Sequence, residues 1–243
     1  MEIISIKTRI IQPPKDNIFD VIDEYCPTLQ EKDILLVTSK VIAIHQGLCI
    51  KKDLVENKDD LIKKEADAFI PRKECPNGYA ILTIKNNTLI PSAGIDESNA
   101  NGYYVLWPKN PEWEAKRICT YLKQKFSLKK LAVIITDSHS TPMRYGVMGI
   151  SIGFYGLEPL NDYRGKEDIF GNILKISQSN VVDALAAMGV LCMGEGGEQT
   201  PIVIIRGQKG IEFTMQDTYQ DLLVPIKEDI YYPLLKNFYK KKQ

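Results

Sequence analysis

The chain has 243 residues, enough for a sizeable buried core, and its 31 basic and 31 acidic side chains cancel. That balance gives no net field for nucleic acid or an anionic membrane, no apolar run reaches membrane-spanning length, and the opening Met-Glu-Ile-Ile-Ser is not expected to act as a secretory signal. Two histidines and five scattered cysteines without a CxxC pair exclude a multi-histidine centre and argue against a disulfide framework, so any metal must be held mainly by oxygen and a reducing cytoplasm is the expected compartment.

From the N-terminus, residues 2–12 are β-rich (Ile3, Ile4, Ile6, Thr8, Ile10, Ile11) until Pro13-Pro14 stops them. Asn17 is expected to cap a helix carrying Ile18, Val21 and Ile22. Asp33–Thr38 reads as a short apolar strand running into Ser39-Lys40, and residues 56–69 look helical. Tyr79–Ile84 and Thr88–Pro91 read as strands around the turn Lys85-Asn86-Asn87. Asn110 should cap, and Pro111 open, a helix to Phe126 with Ala115, Ile118, Cys119 and Leu122 at helical spacing. A strand Leu131–Thr136 then ends in Asp137-Ser138, and Gly146–Gly156 alternates small and apolar residues as a closely packed strand would. Asn180 is expected to cap the helix Val181–Cys192, so apolar that it should be buried. Pro201–Arg206 reads as a strand and Glu228–Lys241 as a C-terminal helix. Strands are frequent and only some are separated by helices, which favours an α+β fold. Residues 1–243 are read as one unit with room for two subdomains. The Gly-rich segment follows a helix and precedes a strand, the reverse of the Rossmann order.

That segment, Met193-Gly-Glu-Gly-Gly-Glu-Gln-Thr200, carries the densest chemical signal. Gly194, Gly196 and Gly197 permit backbone shapes closed to other residues, and successive N–H groups in such a loop can cradle a phosphate. Glu195 and Glu198 would repel a phosphate unless a divalent cation stood between them. On its own the loop reads equally as a helix-to-strand connector, and no Gly-Lys-Ser/Thr makes it a Walker loop. Two further turns place an acid after a β-rich run, Asp96 within Ser92–Asn99 and Asp137 within Thr136-Asp137-Ser138. Asp96, Asp137 and Glu195 could converge as an oxygen-ligand site with Ser138 and Asn99 as neutral partners, although each acid alone is an ordinary turn former. Lys40, Arg144, Arg164 and Arg206 offer charge for phosphate or carboxylate, or for common ion pairs. His139 has no evident acid–base partner and reads as a turn residue.

In order, Asp33–Lys40, Ser92–Asn99, Val133–Ser138, Pro142–Gly146, Asp162–Gly165 with Asp168, and Met193–Pro201 followed by Val203–Gly207 resemble the coenzyme F420-0:γ-glutamyl ligase family, over roughly residues 5–207. The resemblance implies a GTP- and divalent-metal-dependent amide ligase joining L-glutamate, through its α-amino group, to a carboxylate by way of an acyl phosphate. It implies Asp96, Asp137 and Glu195 as ligands of Mg²⁺ or Mn²⁺, with Ser138 replacing a ligand threonine. Nucleotide contacts would fall on Arg9, Ile10, Ile11, Gln12, Ser39, Lys40, Asn99, Met193, Gly194, Gly196, Gly197, Glu198, Gln199 and Thr200. It implies intertwined mixed and antiparallel sheets with packed helices, assembled as a homodimer whose site lies near the subunit interface. No catalytic acid or base is assigned.

The chain departs from the family pattern where a lysine is replaced by Ile44, where His139-Ser140-Thr141 lacks an arginine, and where Gly171 is followed by Asn172 instead of arginine. With these cations lost, an acidic acceptor other than F420-0, or a non-catalytic nucleotide- or metabolite-binding role, stands as an alternative. The three acids alone also permit a metal-dependent phosphohydrolase. The expected partners are small molecules (GTP, L-glutamate and an acidic acceptor), without nucleic acid or membrane.

Overall fold

A computed structural model describes residues 1–240. The elements run in the order β1 (Glu2–Ile6), α1 (Ile18–Tyr25), β2 (Ile34–Thr38), α2 (Ser39–His45), β3 (Cys49–Lys51), α3 (Lys58–Glu65), β4 (Ala68–Ile70), β5 (Leu82–Lys85), β6 (Thr88–Pro91) and β7 (Tyr103–Val105). They continue with α4 (Pro111–Phe126), β8 (Ala132–His139), β9 (Met148–Tyr155), β10 (Leu160–Asp162), β11 (Gln178–Asn180), α5 (Val181–Met193), β12 (Ile202–Arg206), α6 (Tyr232–Leu235) and β13 (Tyr239–Lys240).

The central sheet has five strands in the order β1-β12-β2-β8-β9, with β2 and β8 parallel and the other neighbours antiparallel. Its middle strands are continuous apolar runs because both faces are covered. Leu35, Val37, Val133, Ile135, Ile202 and Ile204 pack with Ala115, Ile118 and Leu122 of α4 and with α1. The alternate residues Ile34, Leu36, Ile134, Val203 and Ile205 pack with Leu185, Ala186 and Val190 of α5. Each fully buried aliphatic side chain of this kind contributes about 1.5–3 kcal/mol. A Cβ on Gly149 of β9 would lie 2.3 Å from the Ala186 carbonyl oxygen, so this glycine lets α5 lie directly on the strand and fixes where the following loop begins. The parallel β2–β8 pair needs a long crossover. It contains α2, α4 and a smaller module, in which β4, β5 and β6 (with β13 beside β4) form an antiparallel sheet against α3. This mixed arrangement is α+β.

Several expected boundaries move, each for a local reason. The strand expected over residues 2–12 ends at Ile6, because its partner β12 starts at Ile202, just after Pro201. Beyond it, the Thr8 N–H bonds the Gln199 carbonyl at 2.9 Å. The helix expected over 56–69 stops at Glu65, since Ala68–Ile70 is drawn into the sheet with β5. Ser39–His45 is helical although its Val-Ile-Ala-Ile run looks β-like; burial against the sheet overrides propensity. Asn110 occupies the N-cap of α4 in a left-handed conformation without a side-chain capping bond, whereas Asn17 and Asn180 cap through their side chains. Asp137, Ser138 and His139 lie within β8, paired with β9 beyond a bulge after Ile135, and not in a turn. The expected C-terminal helix shrinks to Tyr232–Leu235, because Pro233 is compatible only with a first turn; Tyr239–Lys240 pair with β4, and Lys241 lies outside the described residues.

Candidate active site

The parallel pair β2 and β8 ends at a cavity of about 590 Å³. Its floor comes from the rigid sheet: Ser39 and Lys40 begin α2 directly after β2, and Asp137 and Ser138 finish β8. Its rim comes from three loops, residues 9–12, residues 96–101 and the Gly-rich loop after α5. The anticipated nucleotide and cation residues all line it: Arg9, Ile10, Ile11, Gln12, Ser39, Lys40, Asn99, Met193, Gly194, Gly196, Gly197, Glu198, Gln199 and Thr200, together with Asp96, Asp137, Ser138 and Glu195. The sequence reading did not single out the apolar wall of Val41, Leu106 and Val190, and it named Ile44 only as a departure. Val41 and Ile44 stand three apart on α2, a signal hidden because that segment does not look helical.

The rim loops are tied to one another. Asp16 accepts from Arg9 Nη2 at 2.8 Å, from the Gln12 N–H at 3.0 Å and from the Asn17 N–H at 2.8 Å, which shapes residues 9–12. The Arg9 guanidinium, followed by the two N–H bonds, outweighs burial and lowers the Asp16 carboxyl to about 2. Asn99 donates to the Gly196 carbonyl at 2.8 Å, and Thr200 Oγ1 to the Met193 carbonyl at 2.6 Å, so the Gly-rich loop is pinned at both ends. Within it the Gly196 N–H donates to Glu198 Oε2 at 2.8 Å. A Cβ on Gly194, at φ +77°, would fall 2.4 Å from the Glu198 carboxyl carbon. The loop thus folds its own carboxylate into the place where an incoming anion was expected, leaving the Gly196 donor engaged.

The three acids differ in state. Desolvation pushes the half-buried Asp137 carboxyl up to about 7 against the bond from the Ser138 N–H, and the charge of Asp96 adds to the rise. Glu195 is raised by burial and by Asp96, while Ser138 Oγ, 3.4 Å from its Oε2, opposes this. Asp96 is raised by burial but lowered overall by Lys40 and Ser98. Lys40 Nζ lies 2.6 Å from Asp96 Oδ2. The acids therefore sense one another across one cavity. Among the described residues no three Asp, Glu, His or Cys side chains are arranged to hold a metal ion. The donors nevertheless suit a hard cation: all are oxygens, and burial, with the nearby charge of Asp96, holds two of the carboxyls toward their protonated form.

Other anticipated charges lie elsewhere. Arg206 closes on the buried Asp33 at 2.7 Å, an ion pair of the core. Arg164 is paired with Asp162 at 2.6 Å, and Asn172 is bonded to Asp168, both on the exposed arm around β10 and β11. Neither Thr141 nor Asn172 lines the cavity, so within one chain only Ile44 bears on it. His139 is half-buried in β8, not in a turn. Burial pushes the Cys26 and Cys119 thiols up to about 12, which leaves them protonated. Among the described residues no helix is long and apolar enough to cross a membrane.

A profile of the F420-0:Gamma-glutamyl ligase family matches residues 5–207. The chain is 33% identical to the coenzyme F420:L-glutamate ligase of Methanosarcina mazei, over 74% of this chain and 75% of that protein. It is 32% identical to the protein of that name from Methanopyrus kandleri, over 81% of this chain and 82% of the relative. Against the Methanocaldococcus jannaschii protein, also named coenzyme F420:L-glutamate ligase, identity is 30% over 95% and 96% of the two chains.

Proposed function

The chain belongs to the F420-0:γ-glutamyl ligase family, and from that premise we propose that it is a GTP-dependent ligase adding L-glutamate to the carboxylate of F420-0. The observation that carries this reading is the gathering of the anticipated nucleotide and cation residues around one cavity. They come from five separate stretches of sequence, and only the fold brings them together.

A carboxylate is a poor electrophile. In this reading an oxygen of the acceptor carboxylate attacks the γ-phosphorus of GTP, and GDP leaves. The amine nitrogen of L-glutamate then attacks the acyl carbon, phosphate leaves, and a proton is lost as the amide forms. Such phosphoryl transfer is mostly positioning and charge neutralisation. Asp96, Asp137, Ser138 and Glu195 would hold a Mg²⁺ or Mn²⁺, whose charge would neutralise the phosphates. Lys40 and Arg9, paired with Asp96 and Asp16, carry positive charge on the cavity wall, and the Gly-rich loop supplies backbone donors once Glu198 turns away. Val41, Ile44 and Leu106 form a dry wall that limits competing attack by water.

The same reading includes a cytoplasmic homodimer. The dimer is supported by residues 142–148 and the arm around β10 and β11, where Met143, Ile169, Phe170 and Ile176 are each more than 80% exposed. Apolar side chains grouped this way mark an interaction surface, and the arm carries family motifs that miss the cavity of their own chain. Incubation of the purified protein with GTP, Mn²⁺, L-glutamate and F420-0 tests the activity. Mass spectrometry should find the acceptor heavier by one or more glutamates, and an unmodified acceptor would remove the reading.

A further inference from the structure

Lys40 makes a close charged contact inside the cavity, and its partner is a residue of the chain itself. Nζ lies 2.6 Å from Asp96 Oδ2, and it donates to the Ser98 carbonyl at 3.0 Å and to Ser98 Oγ at 3.2 Å. All three of its donors thus face oxygens of one turn. Asp96 is engaged through both oxygens, because Oδ1 accepts from the Ser98 N–H at 2.7 Å and from Ser98 Oγ at 2.8 Å while Oδ2 faces Lys40. The pair is only partly open to solvent, with Lys40 23% and Asp96 40% exposed, so water screens it incompletely. Lys40 sits in the first turn of α2, whose backbone is fixed at the end of β2, so only the side chain is free to move.

Among the described residues Asp137 and Glu195 form no ion pair, and Lys40 acts on both only through its charge at longer range; Ser138 bonds each of them, and Ser39 also bonds Asp137. One carboxylate of the three is therefore neutralised internally, and a dication reaching all three must first evict an ammonium.

We propose that Lys40 is a resident counter-cation that guards Asp96, and that a divalent ion binds this cavity well only when an anion is present to receive the displaced ammonium. The proposal rests on the cation site of the ligase reading and adds an order to its filling. Metal alone must leave Lys40 without a counter-ion in a half-buried wall, with only the Ser98 oxygens as partners. Metal arriving with nucleotide offers the ammonium phosphate oxygens in exchange for Asp96. The two ligands then bind with positive coupling that passes through one side chain.

The test is titration of the protein with Mn²⁺ alone, following the electron paramagnetic resonance signal of free Mn²⁺, so that no turnover is needed. Wild type, Lys40→Met, Lys40→Gln, Arg9→Gln and Asp137→Asn are compared. Both Lys40 variants should bind Mn²⁺ about tenfold more tightly than wild type or better, the change that about 1.4 kcal/mol of relieved competition represents. Arg9→Gln removes the same charge from the same wall but frees no carboxylate of this set, and should change affinity much less. Affinity unchanged or weakened in the Lys40 variants, with binding still lost in Asp137→Asn, would overturn the guard while leaving the cation site standing. Equal tightening by Arg9→Gln would also overturn it, since general charge would then explain the effect. Absence of any Asp137-dependent Mn²⁺ binding would remove the cation site and the guard together.

Discussion

The cavity floor and the exposed arm are built on opposite physical terms. The floor stands at the ends of β2 and β8, whose residues are sealed between α4 and α5, and it holds charged groups where water is scarce. The arm around β10 and β11 holds apolar groups where water is abundant. Each is costly for an isolated chain: desolvated carboxyls oppose ionisation, and exposed Phe170 and Ile169 gain nothing from folding. A stability cost kept at the same place as chemistry is the pattern of a functional site, and a cost kept at a surface is the pattern of an interface. The difference implies that the floor should respond to charge and the arm to assembly.

The largest effect should come from the floor. Asp137→Asn is expected to lower ligation on the order of a hundredfold or more, since even indirect partners of metal sites cost 10–100-fold. It should also raise the melting temperature at pH 8. The sign follows from the raised carboxyl. Between the ordinary value of 3.8 and about 7 the folded protein binds the proton more tightly than the unfolded chain. Wild-type stability from this group therefore falls as pH rises through that window, and the asparagine variant lacks this fall. Thermal melts from pH 4 to 8, run without metal or nucleotide, check both points. An equal pH dependence in the two proteins would break the contrast.

Next comes the arm. Replacing Ile169 and Phe170 together by serine should convert a dimer to a monomer in sedimentation and cut ligation by about tenfold or more. Unfolding free energy per subunit should stay within about 0.5 kcal/mol, as for exposed substitutions. A monomeric wild type would remove the arm's assigned role.

Smaller effects belong to the rim. Asn99→Ala loses the bond to the Gly196 carbonyl and should weaken nucleotide binding several-fold, equivalent to about 1 kcal/mol, with little change in stability. Calorimetric titration with GTP reads this directly. Asp16→Asn should cost the least, under about 1 kcal/mol, because its partner Arg9 is partly exposed. The folded carboxyl is lowered to about 2, so its contribution is full above the ordinary value of 3.8 and disappears as pH falls through 2. The destabilisation should thus be present in full at pH 7, much reduced at pH 2 and absent below it.

Much of the sheet was legible because burial on two faces writes itself as apolar runs: Ile34–Val37, Ala132–Ile135 and Ile202–Ile205 all lie in the core. Helix α2 was not legible, since Val41, Ile42 and Ile44 are β-branched and only tertiary packing makes them helical. Asp137 read as a turn residue because its polarity ends the apolar run, yet pairing with β9 carries the strand on through His139. Periodicity could not bring Asp96, Asp137 and Glu195 to one cavity, since they sit on different elements; acid-bearing turns and the Gly-rich loop named them as candidates, and resemblance assigned them as ligands. Resemblance also gave prominence to Arg164 and Asp168, which the fold places on the arm, away from the cavity of their own chain.

The most direct test of the central claim is phosphate release from GTP with Mn²⁺, measured while L-glutamate and F420-0 are omitted singly and together. The ligase account predicts release only when both are present, in step with amide formed. Release that proceeds without either would make the protein a phosphohydrolase, and no release with the complete mixture would contradict catalysis of this ligation.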